Sequence, residues 1–224
     1  DLIDKNVAIL KHIVPEISKR NYEGILMIVS NPVDVLTYAA YKISGFPAHR
    51  VIGSGTVLDT ARLKNLLGEH LDVDSRNVHA VIIGEHGDSE LAVWSGANVS
   101  GIPLHHFCEL RGHFDHEGSM QRLYEGVRDS AYEIIARKGA TYYGIAMAVG
   151  RIAEGIVRDE HAVLPISVVL DGEYGLDGLC LSIPSIVGKD GVHKVLEIPL
   201  DESEYAALHA SADRLREVIA HLDL

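Results

Sequence analysis

Apolar residues recur at Ile3, Val7, Leu10, Val14 and Ile17, at spacings of three and four. That rhythm predicts an amphipathic helix over residues 1–20. Ile25–Val29 is a continuous apolar run of strand length, ended by Ser30-Asn31-Pro32. Pro32 suits the first turn of a following helix reaching about Ser44, with Gly45 just past its end. Arg50–Gly53 reads as another short extended piece, and Ser54-Gly55-Thr56 turns the chain into a helix from about Val57 to His70. The β-branched run Val78–Ile83 predicts one buried strand, which ends abruptly at Gly84-Glu85-His86-Gly87-Asp88; Leu91–Trp94 is its expected extended neighbour. Residues 101–118 read as irregular and polar, followed by helices over Ser119–Lys138 and Thr141–Arg158.

The tail changes character. Val163–Leu170, Leu179–Val187 and Gly191–Ile198 are β-rich and separated by Asp-Gly turns, the pattern of an antiparallel meander. A closing amphipathic helix over 201–223 turns Leu208, Leu215, Ile219 and Leu222 inward. The fold class is therefore α/β and then α+β, two regions of different construction meeting near residues 50–56.

Composition narrows the function. The 224 residues include 47% hydrophobic and 23% charged side chains, ordinary for a globular protein, and carry a net charge of −12. With no basic run, neither nucleic acid nor an anionic membrane surface is an expected partner. No apolar run approaches the roughly 18 residues of a membrane span. Cys108 and Cys180 stand far apart with no Cys-x-x-Cys motif, which points to free thiols in a reducing compartment. The chain opens on Asp1-Leu-Ile-Asp, which reads as a helix interior, so a preceding segment is expected.

Among 13 histidines, His86 is the one placed at a strand end between glycines, where α/β proteins gather ligands and catalytic groups. It is the candidate proton-transfer residue. Asp59 and Arg62, three apart, share one face of a predicted helix. They are either a surface ion pair or a functional set, with the aspartate orienting an imidazole and the arginine clamping a carboxylate. Asn31 and Ser54 stand at strand-to-helix turns, where capping and a crevice-facing role are both open. Thr141 is a helix cap or part of an anion-facing helix start. The segment His105-His106-Phe-Cys108…His113…His116 matches no standard zinc spacing, so no metal site is expected. There is no Gly-x-Gly-x-x-Gly fingerprint.

Four motifs in order carry a resemblance: Ser30-Asn-Pro-Val-Asp34, Gly53-Ser-Gly-Thr-Val-Leu-Asp-Thr-Ala-Arg62, Gly84-Glu-His-Gly-Asp-Ser89 and Lys138-Gly-Ala-Thr-Tyr-Tyr-Gly-Ile145. Together they resemble the lactate/malate dehydrogenase superfamily, and within it the bacterial L-lactate dehydrogenases, over essentially the whole chain. The resemblance implies residues 1–53 as the last part of a Rossmann-type NAD-binding domain and 54–224 as an α+β substrate domain. It implies His86 as acid/base, Asp59 as its orienting carboxylate and Arg62 as the substrate-carboxylate clamp. Asn31, Asp59, Arg62 and Thr141 are then substrate-binding, while Val29, Asn31, Ser54 and Ile145 line the nicotinamide of NAD. Malate relatives tend to carry Ser or Ala where Thr141 stands and Pro where Ile145 stands, so both positions favour lactate.

The same resemblance implies a cytoplasmic homotetramer at the last step of fermentative glycolysis. It also implies an allosteric fructose 1,6-bisphosphate site at His79 and Lys64, where Lys64 replaces an arginine. The family's Gly-rich turn and mobile loop arginine find no match here, so the chain by itself is expected to be inactive. A malate or other 2-hydroxyacid dehydrogenase, and a non-catalytic assembly or effector-binding piece, are the other readings.

Overall fold

The computed structural model describes residues 2–223, so Asp1 of the expected first helix lies outside it. Helix α1 (Leu2–Ser18) buries Val7 and Val14 against α2 (Val33–Ser44). Strand β1 (Leu26–Ile28) pairs in parallel with β2 (Val51–Gly53), Ile28 opposite Gly53. This parallel pair, with α2 crossing over between its strands, makes the first part of the chain a βαβ unit. Helix α3 (Val57–Leu71) leaves from the carboxyl end of β2.

The predicted strand over 78–83 forms as two pieces, β3 (Val78–His79) and β4 (Ile82–Ile83). Ile82 explains the break. Its N–H donates to Thr60 Oγ1 at 3.0 Å, and its carbonyl accepts from Thr56 Oγ1 at 2.6 Å, so α3 takes hydrogen bonds that a continuous ladder would use. β4 pairs with β5 (Leu91–Ala92), the expected neighbour, whereas β3 pairs with β6 (Asn98–Val99), which continues to β7 (Ile102–Pro103).

Residues 101–118 are not irregular. They hold β7 and α4 (Leu104–Leu110), whose Leu104 and Cys108, one turn apart, are both buried against α3 and α5 residues. Polar histidines on the outer face hid that short apolar stripe. Helix α5 (His116–Lys138) starts three residues before expectation because the Asp115 side chain accepts from the Gly118 N–H and caps it. Helix α6 (Tyr143–Val157) starts two residues later than expected, with Tyr142 in the cap position and no side-chain cap, so Thr141 is not a capping residue.

Strands β8 (Ala162–Asp171), β9 (Asp177–Gly188) and β10 (Gly191–Val195) form the antiparallel meander. β8 also meets β2 at Gly53–Ser167, giving one sheet in the order β1-β2-β8-β9-β10. The parallel pair and the meander therefore share a sheet, and Val35 and Ile52 share a core with Ile166, Leu181 and Leu208. Both cysteines are buried free thiols. Among the described residues no helix is long and apolar enough to cross a membrane.

Helix α7 (Glu202–Ala220) closes the fold with Leu208 and Leu215 inward. Its capping box is complete: Asp201 accepts from the Glu204 N–H, and Glu204 returns to the Asp201 N–H. Glu204 also accepts from Ser95 N–H, which ties the helix start to the loop after β5. Asp201→Ala removes one half of this arrangement and should cost about 1 kcal/mol. Urea unfolding of the variant tests this; an unchanged midpoint contradicts the cap's contribution.

Candidate functional site

The site is assembled from both ends of β4. Thr56 and Thr60 fasten the first turns of α3 to Ile82, which fixes the distance from that helix to the loop two residues beyond. Gly84 opens the loop at φ 92, in the region that glycine adopts without steric penalty. A Cβ there would come within 3.1 Å of Leu91 and Ser211 atoms. Gly84 exchanges two backbone hydrogen bonds with Ser182 on β9, each 3.0 Å. Glu85 N–H donates to Ser211 Oγ at 2.9 Å, and His86 N–H to Asp34 Oδ2 at 2.7 Å. Three elements, β9, α7 and α2, thus hold the backbone that presents the imidazole.

His86 Nδ1 lies 2.6 Å from Asp59 Oδ2, and Arg62 Nη1 lies 3.4 Å from Asp59 Oδ1. Asp59 is only 3% exposed, and its two partners are mostly covered. The surface ion-pair reading of Asp59–Arg62 therefore fails. With Nδ1 taken by Asp59, Nε2 is the nitrogen left to meet a substrate. Burial pulls the imidazolium downward, but the hydrogen bond and charge of Asp59 outweigh it, and the His86 pKa rises to about 9. The ring is a proton donor through the neutral range.

Two acids at this site escaped the sequence reading. Asp34, 1% exposed, accepts from the His86 backbone and from Ser182 Oγ at 3.2 Å; burial raises its pKa to about 6. Glu90, 5% exposed, lies with Asp59 and His86 so that ligating atoms of the three fall within 4.8 Å of one another. Burial first, and the Asp59 charge second, raise the Glu90 pKa to about 8, and among the described residues its Oε1 has no hydrogen-bond partner. The motif around His86 contained Glu90 one residue beyond its end; only the fold shows that this carboxyl turns inward. The three groups could close on a cation, but Asp59 and His86 are already bonded to each other, which suits proton transfer.

The remaining sequence candidates fall into two places. Val29, Asn31 and Ser54 stand at the adjacent carboxyl ends of β1 and β2, where Ser54 N–H donates to the Ile28 carbonyl at 2.9 Å. Val29 and Asn31 are exposed there, and Ser54 is buried. Neither Asn31 nor Ser54 caps a helix: the cap positions belong to Pro32 and Thr56. Thr141 and Ile145 sit at the start of α6, which packs on α3 so closely that a Cβ on Gly144 would come within 3.1 Å of Leu58. Lys64 and His79 lie apart from the imidazole, lining a mainly apolar cavity of about 880 Å³ with Thr60, Val93 and Pro199. This cavity is therefore not where the acid–base pair is.

An imidazole–carboxylate pair with an adjacent arginine, set beside the carboxyl ends of parallel strands, suits acid–base chemistry on a substrate that carries a carboxylate, the kind of site an α/β dehydrogenase uses. Residues 1–53 match the model of the lactate/malate dehydrogenase NAD-binding domain, and residues 56–223 match the lactate/malate dehydrogenase alpha/beta C-terminal domain. The chain belongs to the lactate/malate dehydrogenase family. It is 51% identical over its whole length to an L-lactate dehydrogenase of Acetivibrio thermocellus, spanning 71% of that protein. Against an L-lactate dehydrogenase of Thermoanaerobacter pseudethanolicus it is 49% identical over its whole length, spanning 72% of it. The fold matches the minor L-lactate dehydrogenase of Enterococcus mundtii in its ligand-bound form with a TM-score of 0.95 at 43% identity, covering 100% of this chain and 71% of that one. A lactate dehydrogenase from a Medee basin deep-sea metagenome matches at TM-score 0.95 and 46% identity, over 98% of this chain and 70% of the other.

Glu90 gives a pH-dependent prediction. A carboxyl whose folded pKa lies above its unfolded value favours folding at low pH and loses that contribution as pH climbs from about 4.5 to about 8. Glu90→Gln should therefore gain thermal stability over the parent above pH 8 and little below pH 5. Because the Glu90 charge helps raise the His86 pKa, the same variant should move the alkaline limb of kcat/KM for reduction to lower pH. Coincident profiles for parent and variant would contradict the coupling.

Proposed function

We propose that this site performs the NAD-dependent L-lactate dehydrogenase reaction, the reversible interconversion of lactate and pyruvate. The observation that carries the reading is Asp59 held between His86 and Arg62. The nicotinamide half of NAD fits the residues present: an exposed valine, Val29, and an exposed amide, Asn31, stand at the strand ends, and the part-buried Ile145 lies on α6. NAD, when bound, supplies the hydride acceptor for oxidation and, reduced, the hydride donor.

The chain's own residues do the rest. Arg62 keeps its outer guanidinium edge for the substrate carboxylate, a two-point contact that fixes which face of C2 is presented. In reduction, His86 Nε2–H would give its proton to the substrate's carbonyl oxygen. In oxidation the neutral imidazole takes the hydroxyl proton at Nε2, so oxidation gains with rising pH up to about 9, the value to which Asp59 raises the ring. Asp59 compensates the imidazolium that forms in that step. Thr141 at the start of α6 shapes the substrate's far side. Thr and Ile at positions 141 and 145 support lactate over malate.

Around this site we divide the chain into residues 1–53, which serve NAD, and 54–224, which serve substrate. The reading carries with it a cytoplasmic homotetramer working in fermentative glycolysis.

In the complete enzyme, NADH oxidation with pyruvate, oxaloacetate and 2-oxoisocaproate tests the assignment: pyruvate should give the highest kcat/KM. His86→Asn should lower kcat by about 10²–10⁴-fold with NADH affinity kept. Preference for oxaloacetate, or near-normal turnover in His86→Asn, would overturn the reading.

An effector role at Lys64 and His79 rests on two cationic or protonatable groups lining the same cavity. Fructose 1,6-bisphosphate should lower the KM for pyruvate or raise the tetramer fraction, and Lys64→Gln should abolish that response. A saturating sugar bisphosphate that changes neither KM nor assembly rules the role out.

A further inference from the structure

Outside the His86 site, a second group of metal-ligating side chains converges where the turn between α6 and β8 meets β10. Asp159, His161 and His193 bring one ligating atom each to within 4.8 Å of the others. Asp159 and His161 belong to the turn between α6 and β8, and His193 belongs to β10. The two imidazoles stack with centroids 4.5 Å apart and planes inclined by 29°. His161 Nε2 lies 3.5 Å from Asp159 Oδ1. We propose that Asp159, His161 and His193 form a binding site for a divalent transition-metal ion of the zinc class.

Local backbone design supports the site. Asp159 and His161 both adopt left-handed φ, at 50° and 52°, a region that non-glycine residues occupy infrequently. Strain of this kind concentrates where a side chain must be aimed. On the other side, the β9–β10 pairing slips between Val192 and Lys194, so His193 stands at a bulge, a device that re-aims a side chain. Between them Gly188 of β9 leaves a cradle: a Cβ there would sit 2.6 Å from His193 Nε2 and 2.7 Å from Asp159 Oδ1. The nitrogen and the oxygen thus point into space that only glycine leaves free. The Lys189 N–H donates to Asp159 Oδ1 at 3.0 Å and, with burial opposing it, holds the Asp159 carboxyl below the usual range. That hydrogen bond orients the carboxylate before any ion arrives.

Two imidazoles and one carboxylate suit zinc and its neighbours rather than magnesium or calcium, which prefer all-oxygen sets. Partial exposure of the three side chains leaves positions for water. Lys189 Nζ, 3.6 Å from Asp159 Oδ2, is a built-in competitor for the carboxylate. A bound ion would pin the α6–β8 turn to the sheet's edge strand across β9.

The test is titration of the full chain with Zn²⁺ by calorimetry and with Co²⁺ by visible absorbance. It is run in a His86→Asn background, which breaks the other cluster of this type among the described residues. One equivalent should bind. His193→Gln and His161→Asn, the latter a residue that tolerates left-handed φ, should each weaken binding about tenfold or more. Lys189→Gln should tighten it. Because both histidines are exposed, circular dichroism should show each variant folded. Unchanged stoichiometry and affinity in the two histidine variants would overturn the proposal, as would no binding to the parent below millimolar metal.

Discussion

A carboxylate buried to 3% exposure needs a positive partner, and Asp59 has two. Removing either would leave a charge in a poorly solvated place, which is far more costly than losing an exposed pair. That requirement dictates the geometry around it. Arg62 is supplied by the next turn of the same helix. His86 is not local; it comes from a loop 27 residues away, 2.6 Å from the carboxylate. The threonine hydroxyls on Ile82, the Gly84–Ser182 exchange and the Asp34 contact all serve to bring that one ring into register. Much of the buried polar bonding between α2, α3, β4 and β9 is explained by this single pairing.

Helix α3 carries this pair on one face and a different environment on another. Asp59 and Arg62 face the imidazole, whereas Thr60 and Lys64, one turn apart, face the 880 Å³ cavity that His79 also lines. Thr60 reaches both, since its hydroxyl takes the Ile82 N–H that positions the loop to His86. Lys64 and Asp59 thus stand on the same helix.

The elements legible in the sequence were those decided by local rules: helices with a 3.6-residue apolar rhythm, the β8–β9–β10 meander punctuated by Asp-Gly turns, and the break at Ser30-Asn31-Pro32. His86, Asp59 and Arg62 were legible as residue types at suggestive spacings, and the fold brought them into contact. What escaped is non-local. The strand over 78–83 divides because threonines 22 to 26 residues earlier take its backbone groups. Helix α4 was obscured by histidines on its outer face. Asp34 and Glu90 looked like ordinary surface acids, because nothing adjacent in sequence reveals that a carboxyl will be covered by β9 or by Tyr124, whose hydroxyl donates to the Glu90 carbonyl. Burial of a charge is a property of the assembled fold.

Strand β9 shows how one sheet element serves several chemistries. Along it, Ser182 is fully buried, bonds Asp34 and exchanges backbone hydrogen bonds with Gly84 at the start of the His86 loop. Six residues later Gly188 has no side chain at all, and histidine and aspartate ligating atoms converge over it. Between them Ser185, Ile186 and Val187 are paired on both edges, to β8 and β10, so neither position can shift without disturbing the ladder. A strand hydrogen-bonded on both sides is a rigid platform, and rigidity is what a 2.6 Å imidazole–carboxylate contact demands. The polar groups at Ser182 and Asp34, costly in a core unless mutually bonded, are retained because the loop that presents His86 is hung from them.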